Sequence, residues 1–118
     1  MNLKNLIDQT FDKYSKIERI WCPILKNYVY FRSDGRLHLI YKGNRKKRPA
    51  SEQFYKLKLF DFAVEVIKNP KQLKSRRQIN GIDYIAIVGA VDNEMVRVIV
   101  RKTKNGSYKY YSVMLENK

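Results

Sequence analysis

His38 is the single histidine of the chain, and it adjoins the densest group of cations. It lies in Leu37-His38-Leu39-Ile40-Tyr41-Lys42, a partly apolar stretch that opens onto Lys42-Gly43-Asn44-Arg45-Lys46-Lys47-Arg48-Pro49. Nearby positive charge disfavours imidazolium and holds the ring in its neutral, basic form. A neutral imidazole beside phosphate-binding groups is suited to metal-free RNA cleavage. It takes the proton from a ribose 2′-hydroxyl, whose oxygen then attacks the adjacent phosphorus. Arginine and lysine would stabilise the charge that builds on the phosphoryl oxygens. The leaving 5′-oxygen needs a proton from a second group, and Lys42, Tyr110 and Ser112 are candidates. A lone histidine can equally be an ordinary surface or core residue.

A second set of candidates comes from Asn105-Gly106, the dipeptide of a tight hairpin turn. With these two residues at its centre, Arg101 falls opposite Tyr110 and Ile99 opposite Ser112. Side chains alternate along a strand, so register fixes the faces. One face then carries Val96, Val98, Val100, Tyr111, Val113 and Leu115, the core side. The other carries Arg97, Ile99, Arg101, Tyr110, Ser112 and Met114. Guanidinium forks suit phosphate oxygens, and an aromatic ring suits a base. The same residues could also make an ordinary polar outer face. Tyr28, Tyr30 and Tyr108 are further stacking candidates.

The wider composition agrees with a polyanionic partner. Lys and Arg outnumber Asp and Glu by 25 to 11, giving +14 at neutral pH. Such a surplus repels itself unless a partner supplies the opposite sign. Nucleic acid, an anionic membrane surface and an acidic protein all qualify. Apolar residues make up 44% of the 118, enough for one hydrophobic core and one domain. No apolar run approaches the roughly 20 residues that span a bilayer, and the N-terminus lacks a signal peptide's apolar core. A cytoplasmic protein is expected. One cysteine, Cys22, and one histidine do not make a four-ligand zinc site, so neither metal nor other cofactor is expected.

These residues need a frame. Leu3, Leu6, Ile7, Phe11, Tyr14, Ile17 and Ile20 follow a helical stripe, capped by Asn2 or Asn5, and Trp21-Cys22-Pro23 reads as the turn that closes an N-terminal helix over 1–22. Tyr28-Val29-Tyr30-Phe31 is β-prone. Ser33-Asp34-Gly35 fits either a hairpin turn or the cap of a short helix carrying Leu37, Ile40 and Tyr41. Ser51 is expected to cap a longer helix ending at Asn69-Pro70. Residues 71–77, with Lys71, Lys74, Arg76 and Arg77, read as a basic connector. Ile82 to Val91 reads as a central strand, Asp92-Asn93 as a turn, and residues 95–101 and 108–115 as two further strands. The predicted fold is α+β, with N-terminal helices packed on a small antiparallel sheet of three to four strands.

Val29-Tyr30-Phe31, the Gly35-x-x-His38-Leu39 stretch with Lys42, the helix ending at Asn69-Pro70, Val96-Arg97-Val98-Ile99-Val100, and Tyr110-Tyr111-Ser112-Val113 after a Gly turn also form an ordered series. In that order, over 28–115, the chain resembles the barnase, EndoU, colicin and RelE-like superfamily of small metal-independent ribonucleases, in particular its colicin-D-like branch. The resemblance implies a histidine with neighbouring lysines early in the domain, here His38 with Lys42, and a serine on the last strand, here Ser112. Its second basic residue would fall on Arg36 or Lys42. It also implies a toxin-like endoribonuclease acting on tRNA or mRNA, with an acidic cognate inhibitor or antitoxin. The expected site is therefore His38 as base, Lys42, Arg101 and Arg97 as phosphate ligands, and Ser112 and Tyr110 positioning the substrate. Arg36, Arg45, Lys46, Lys47, Arg48, Arg76 and Arg77 would bind the RNA backbone. The competing expectations are a non-catalytic basic nucleic-acid-binding module and an adaptor for an acidic protein.

Overall fold

A computed structural model describes residues 2–42 and 46–116. The chain is α+β. Helix α1 (Leu3–Ser15) leads into a hairpin of β1 (Arg19–Cys22) and β2 (Asn27–Tyr30). A six-residue helix α2 (Ser33–His38) and a long helix α3 (Ala50–Lys68) follow. Four strands complete the fold: β3 (Gln72–Ile79), β4 (Ile82–Val91), β5 (Glu94–Thr103) and β6 (Tyr108–Leu115). The strands form one mixed sheet in the order β1-β2-β6-β5-β4-β3, with β2 and β6 parallel and every other neighbouring pair antiparallel. The expected sheet of three to four antiparallel strands is thus corrected to six.

The additional strands come from two misread segments. The N-terminal helix stops at Ser15, not at residue 22. Ile17 and Ile20 fit the helical stripe, but Ile20 and Cys22 also fit a strand with Arg19 and Trp21 outward. The observed alternation is that of the strand. Pro23 opens the turn to β2, which Lys26 closes at φ 52°. Residues 71–77 are no connector: most of them form β3, which pairs with β4 around a bulge between Leu73 and Ser75. β3, an edge strand, is exposed on both faces beyond Leu73 and presents one row of backbone groups. Its Lys and Arg oppose edge-to-edge pairing, and the same charges hide the hydrophobic alternation by which a strand is recognised.

Turn chemistry was also redistributed. Asn80 and Gly81, at φ 51° and 79°, form the tight turn between β3 and β4. Asp92 and Asn93, at φ 49° and 66°, do the same between β4 and β5. Asn105-Gly106 instead lies in a four-residue loop, 104–107, between β5 and β6. Val98 pairs with Val113 and Ile99 with Ser112 as expected. A bulge then shifts the register, so Val100 pairs with Tyr110 and Arg101 with Lys109. The shift exchanges the two tyrosines between faces.

The core lies between the sheet and the α1–α3 layer. Leu57, Phe60, Ala63, Val66 and Ile67 of α3 meet Val29, Ile85, Ile87, Val96, Val98 and Val113. Asn2 caps α1, accepting from the Asn5 N–H. Pro49 rather than Ser51 occupies the N-cap position of α3. Of the two readings of Ser33-Asp34-Gly35, the helix is the one realised. Gly35 fixes its seat, because a Cβ there would strike the Tyr110 carbonyl oxygen and lie 2.7 Å from the Tyr14 hydroxyl. A backbone neighbour cannot rotate away. Gly35→Ala is expected to cost about 3 kcal/mol, the upper end for overpacking, read as a lower urea midpoint. An unchanged midpoint would show that α2 is not held this closely.

Candidate functional site

The parallel pairing of β2 with β6 covers only Tyr108 and Lys109. Beyond them no strand among the described residues lies beside the β6 edge, and helices take over. Gly35 of α2 packs on the Tyr110 carbonyl. The Leu115 N–H donates to the Tyr55 hydroxyl at 2.8 Å, and Lys56 Nζ donates to the Val113 carbonyl at 2.7 Å. Unpaired edge groups are thereby satisfied by side chains. This substitution of helices for a strand brings His38, at the end of α2, to the outer face of the sheet and Lys56, near the start of α3, against the β6 edge beside Ser112.

His38 stands at the junction of two clefts. One, of about 590 Å³, is lined by Asp34, Tyr41, Lys42, Arg101 and Tyr111 as well as His38. The other, of about 310 Å³, runs across the strands and includes Arg77, Tyr84, Arg97 and Ser112. His38 and Tyr111 border both, and their rings stack at 4.2 Å with 22° between planes. The Arg101 guanidinium lies 4.3 Å from the centre of the Tyr111 ring and pairs with Asp34 at 2.8 Å. Tyr84 meets the edge of Tyr111 at 6.0 Å.

Arg48 holds the imidazole in place. Its Nε donates to the His38 carbonyl at 3.0 Å, and its Nη2 lies 3.1 Å from His38 Nε2. A guanidinium has only donors, so Nε2 accepts and the neutral ring carries its proton on Nδ1. Burial, followed by the charges of Arg48, Lys56 and Arg101, lowers the His38 pKa to about 4. Lys56 is 8% exposed, with Nζ 3.2 Å from Ser112 Oγ. Burial and then Arg48 lower its pKa to about 8. Lys56 and Ser112 form a hydrogen-bonded pair behind the second cleft.

The structure unites His38, Lys42, Arg101, Ser112, Arg97 and Arg77 along these clefts. Lys42 also meets Glu52 at 3.7 Å, and Arg97 is held by Glu116 at 2.6 Å. Tyr110 is a correction: at 1% exposure it stacks on Phe31 in the core, and Tyr111 takes its outward place. Arg36 is another, lying over Phe11 by the α1 side of α2. Arg76 and Arg77 point to opposite faces of β3, since Arg76 pairs with core-facing Ile85 and Arg77 with Tyr84. Lys46 and Lys47 are exposed and line neither cleft. Arg48, expected to bind the RNA backbone with the other loop cations, has a fixed place against His38. Arg45 lies outside the described residues.

Sequence reasoning missed Lys56, Tyr111 and Asp34. The signal for Lys56 was present: with Gln53 it occupies the same helical stripe as Leu57 and Phe60, where a polar residue is out of place. Among the described residues no three His, Cys, Asp or Glu side chains converge as metal ligands, and no helix is long and apolar enough to cross a membrane. No family model matches the chain, and no curated protein or solved structure matches it either.

Proposed function

We propose that the protein is an endoribonuclease that cleaves RNA by attack of a 2′-hydroxyl on the adjacent phosphorus, with its own side chains as acid and base. The observation that carries this reading is the placement of a neutral imidazole at the junction of two arginine-lined clefts, against an outward tyrosine. Phosphate binding would fall to Arg101 and Lys42 in the first cleft and to Arg97 and Arg77 in the second. An arriving phosphate competes for the Arg48 guanidinium and releases His38 Nε2. That nitrogen takes the 2′-hydroxyl proton as the O2′–P bond forms. The P–O5′ bond breaks, and the leaving oxygen takes the Ser112 hydroxyl proton, which Lys56 replaces. A Lys56 pKa near 8 suits this donation. The products are a 2′,3′-cyclic phosphate and a 5′-hydroxyl.

Incubation of the protein with single-stranded RNA in EDTA is the test. Fragments ending in a 2′,3′-cyclic phosphate are expected. Intact RNA, bound but uncut, would reduce the protein to a basic nucleic-acid-binding module. A toxin role with an acidic inhibitor belongs to the same proposal, since such an inhibitor would cover the +14 surface.

A further inference from the structure

Cross-strand partners share one face of a sheet. The register therefore places Arg19, Tyr30, Lys109, Arg101, Tyr84 and Arg77 in one row, one residue from each of the six strands. Five strand spacings make it about 24 Å long. Arg101 lines the larger cleft, and Tyr84 and Arg77 line the other, so the β5–β4–β3 end of the row and the candidate site lie on one face. At the far end the next outward pair is Trp21 and Tyr28, whose rings meet edge to face at 5.2 Å. Arg19 lies 4.0 Å from the centre of the Tyr28 ring, and Arg32 4.9 Å from that of Tyr30. Trp21, the only tryptophan, is 49% exposed on the β1 edge.

We infer that this row is a binding track for single-stranded RNA, running from the His38 clefts to a base-stacking platform formed by Trp21 and Tyr28. The inference rests on the ribonuclease reading and adds the form of its substrate. The four cations of the row suit a phosphate backbone, and the exposed Trp21 ring beside Tyr28 suits an unpaired base. A duplex hides its base faces and would leave Trp21 without a partner. The carboxylates of an acidic polypeptide could neutralise the arginines but supply no ring to stack. Two sites at opposite ends of the track also predict a length threshold. A dinucleotide fills the clefts alone, whereas about four or more nucleotides are needed to reach the hairpin.

Trp21 emission reads this directly. The probe is a 2′-O-methyl RNA decamer, which lacks the attacking hydroxyl and stays intact. Its binding is followed independently by fluorescence anisotropy. A saturating decamer is expected to quench the emission by about half, a 2′-O-methyl dinucleotide to leave it unchanged, and Arg19→Ala or Trp21→Ala to weaken decamer binding by about tenfold or more. Unchanged emission with the decamer bound would overturn the track. So would equal quenching by duplex RNA or polyglutamate, or full affinity in both variants. Because the decamer cannot be cut, quenching without RNA cleavage would sink the nuclease and keep the track, and cleavage without quenching would do the reverse.

Discussion

Replacing His38 with alanine is expected to lower the rate of RNA cleavage by about 10²- to 10⁴-fold, the contribution of a positioned general base, and to leave RNA binding within a few-fold. Binding survives because Arg77, Arg97, Arg101 and Lys42 stand on other elements and keep their places in the clefts. Circular dichroism of the variant separates lost chemistry from lost fold. Cleavage undiminished in His38→Ala would remove the histidine from the reaction, whatever happens to binding.

The pH profile supplies an independent signature. The free protein's His38 titrates at about 4 because burial and three cations oppose its charge. The acid limb of kcat/KM, which reports the free enzyme, is expected near pH 4 and not near the ordinary 6.5. Bound phosphate opposes those cations, so the limb of kcat should lie higher. Stability follows the same group. Between about pH 6.5 and 4 the unfolded chain takes a proton on this residue that the folded chain refuses, so stability falls as pH falls through that window. His38→Ala should flatten that part of the unfolding profile. An acid limb of kcat/KM near 6.5 would mean that the ring is better solvated than its packing against Tyr111 and Arg48 indicates.

Much of this site was legible before any fold was known, and what was missed has a common cause. Local chemistry picked out His38, the cationic loop and the arginines at 97 and 101. Local periodicity picked out α3, β4, β5 and β6. Faces were harder, because a single-residue bulge between Ile99 and Val100 exchanges Tyr110 for Tyr111 and leaves no mark in composition. The two Asn-Gly pairs show the same limit: Asn80-Gly81 makes the tight turn and Asn105-Gly106 does not, although the dipeptides are identical. β3 was hidden because an edge strand protects itself with the charges that make it resemble a loop. Arg48 and Lys56 were beyond local reading altogether. Their partners, His38 and Ser112, lie 10 and 56 residues away and meet them only after α2 and α3 close the open edge of β6.

Lys56 gives the second large effect, and its sign separates function from structure. Substituting methionine keeps the volume but removes a charge that the interior disfavours. A pKa lowered from 10.5 to about 8 corresponds to about 3 kcal/mol against the charged form. The two hydrogen bonds, to Ser112 and the Val113 carbonyl, are lost in exchange, at about 1 kcal/mol each. Lys56→Met is therefore expected to stabilise the fold at neutral pH by about 1 kcal/mol, as buried ion replacements often do. The same substitution is expected to lower cleavage by about 100-fold, since nothing then resupplies the Ser112 proton. The advantage should shrink above about pH 8. From there to about 10.5 the folded wild type sheds the Lys56 proton while the unfolded chain keeps it, so the wild type gains stability as pH rises. A methionine variant that unfolds more readily yet cleaves RNA normally would make Lys56 a structural cap on the β6 edge. Higher stability with lost cleavage would be the mark of a charge retained at a cost to the fold for the reaction it serves.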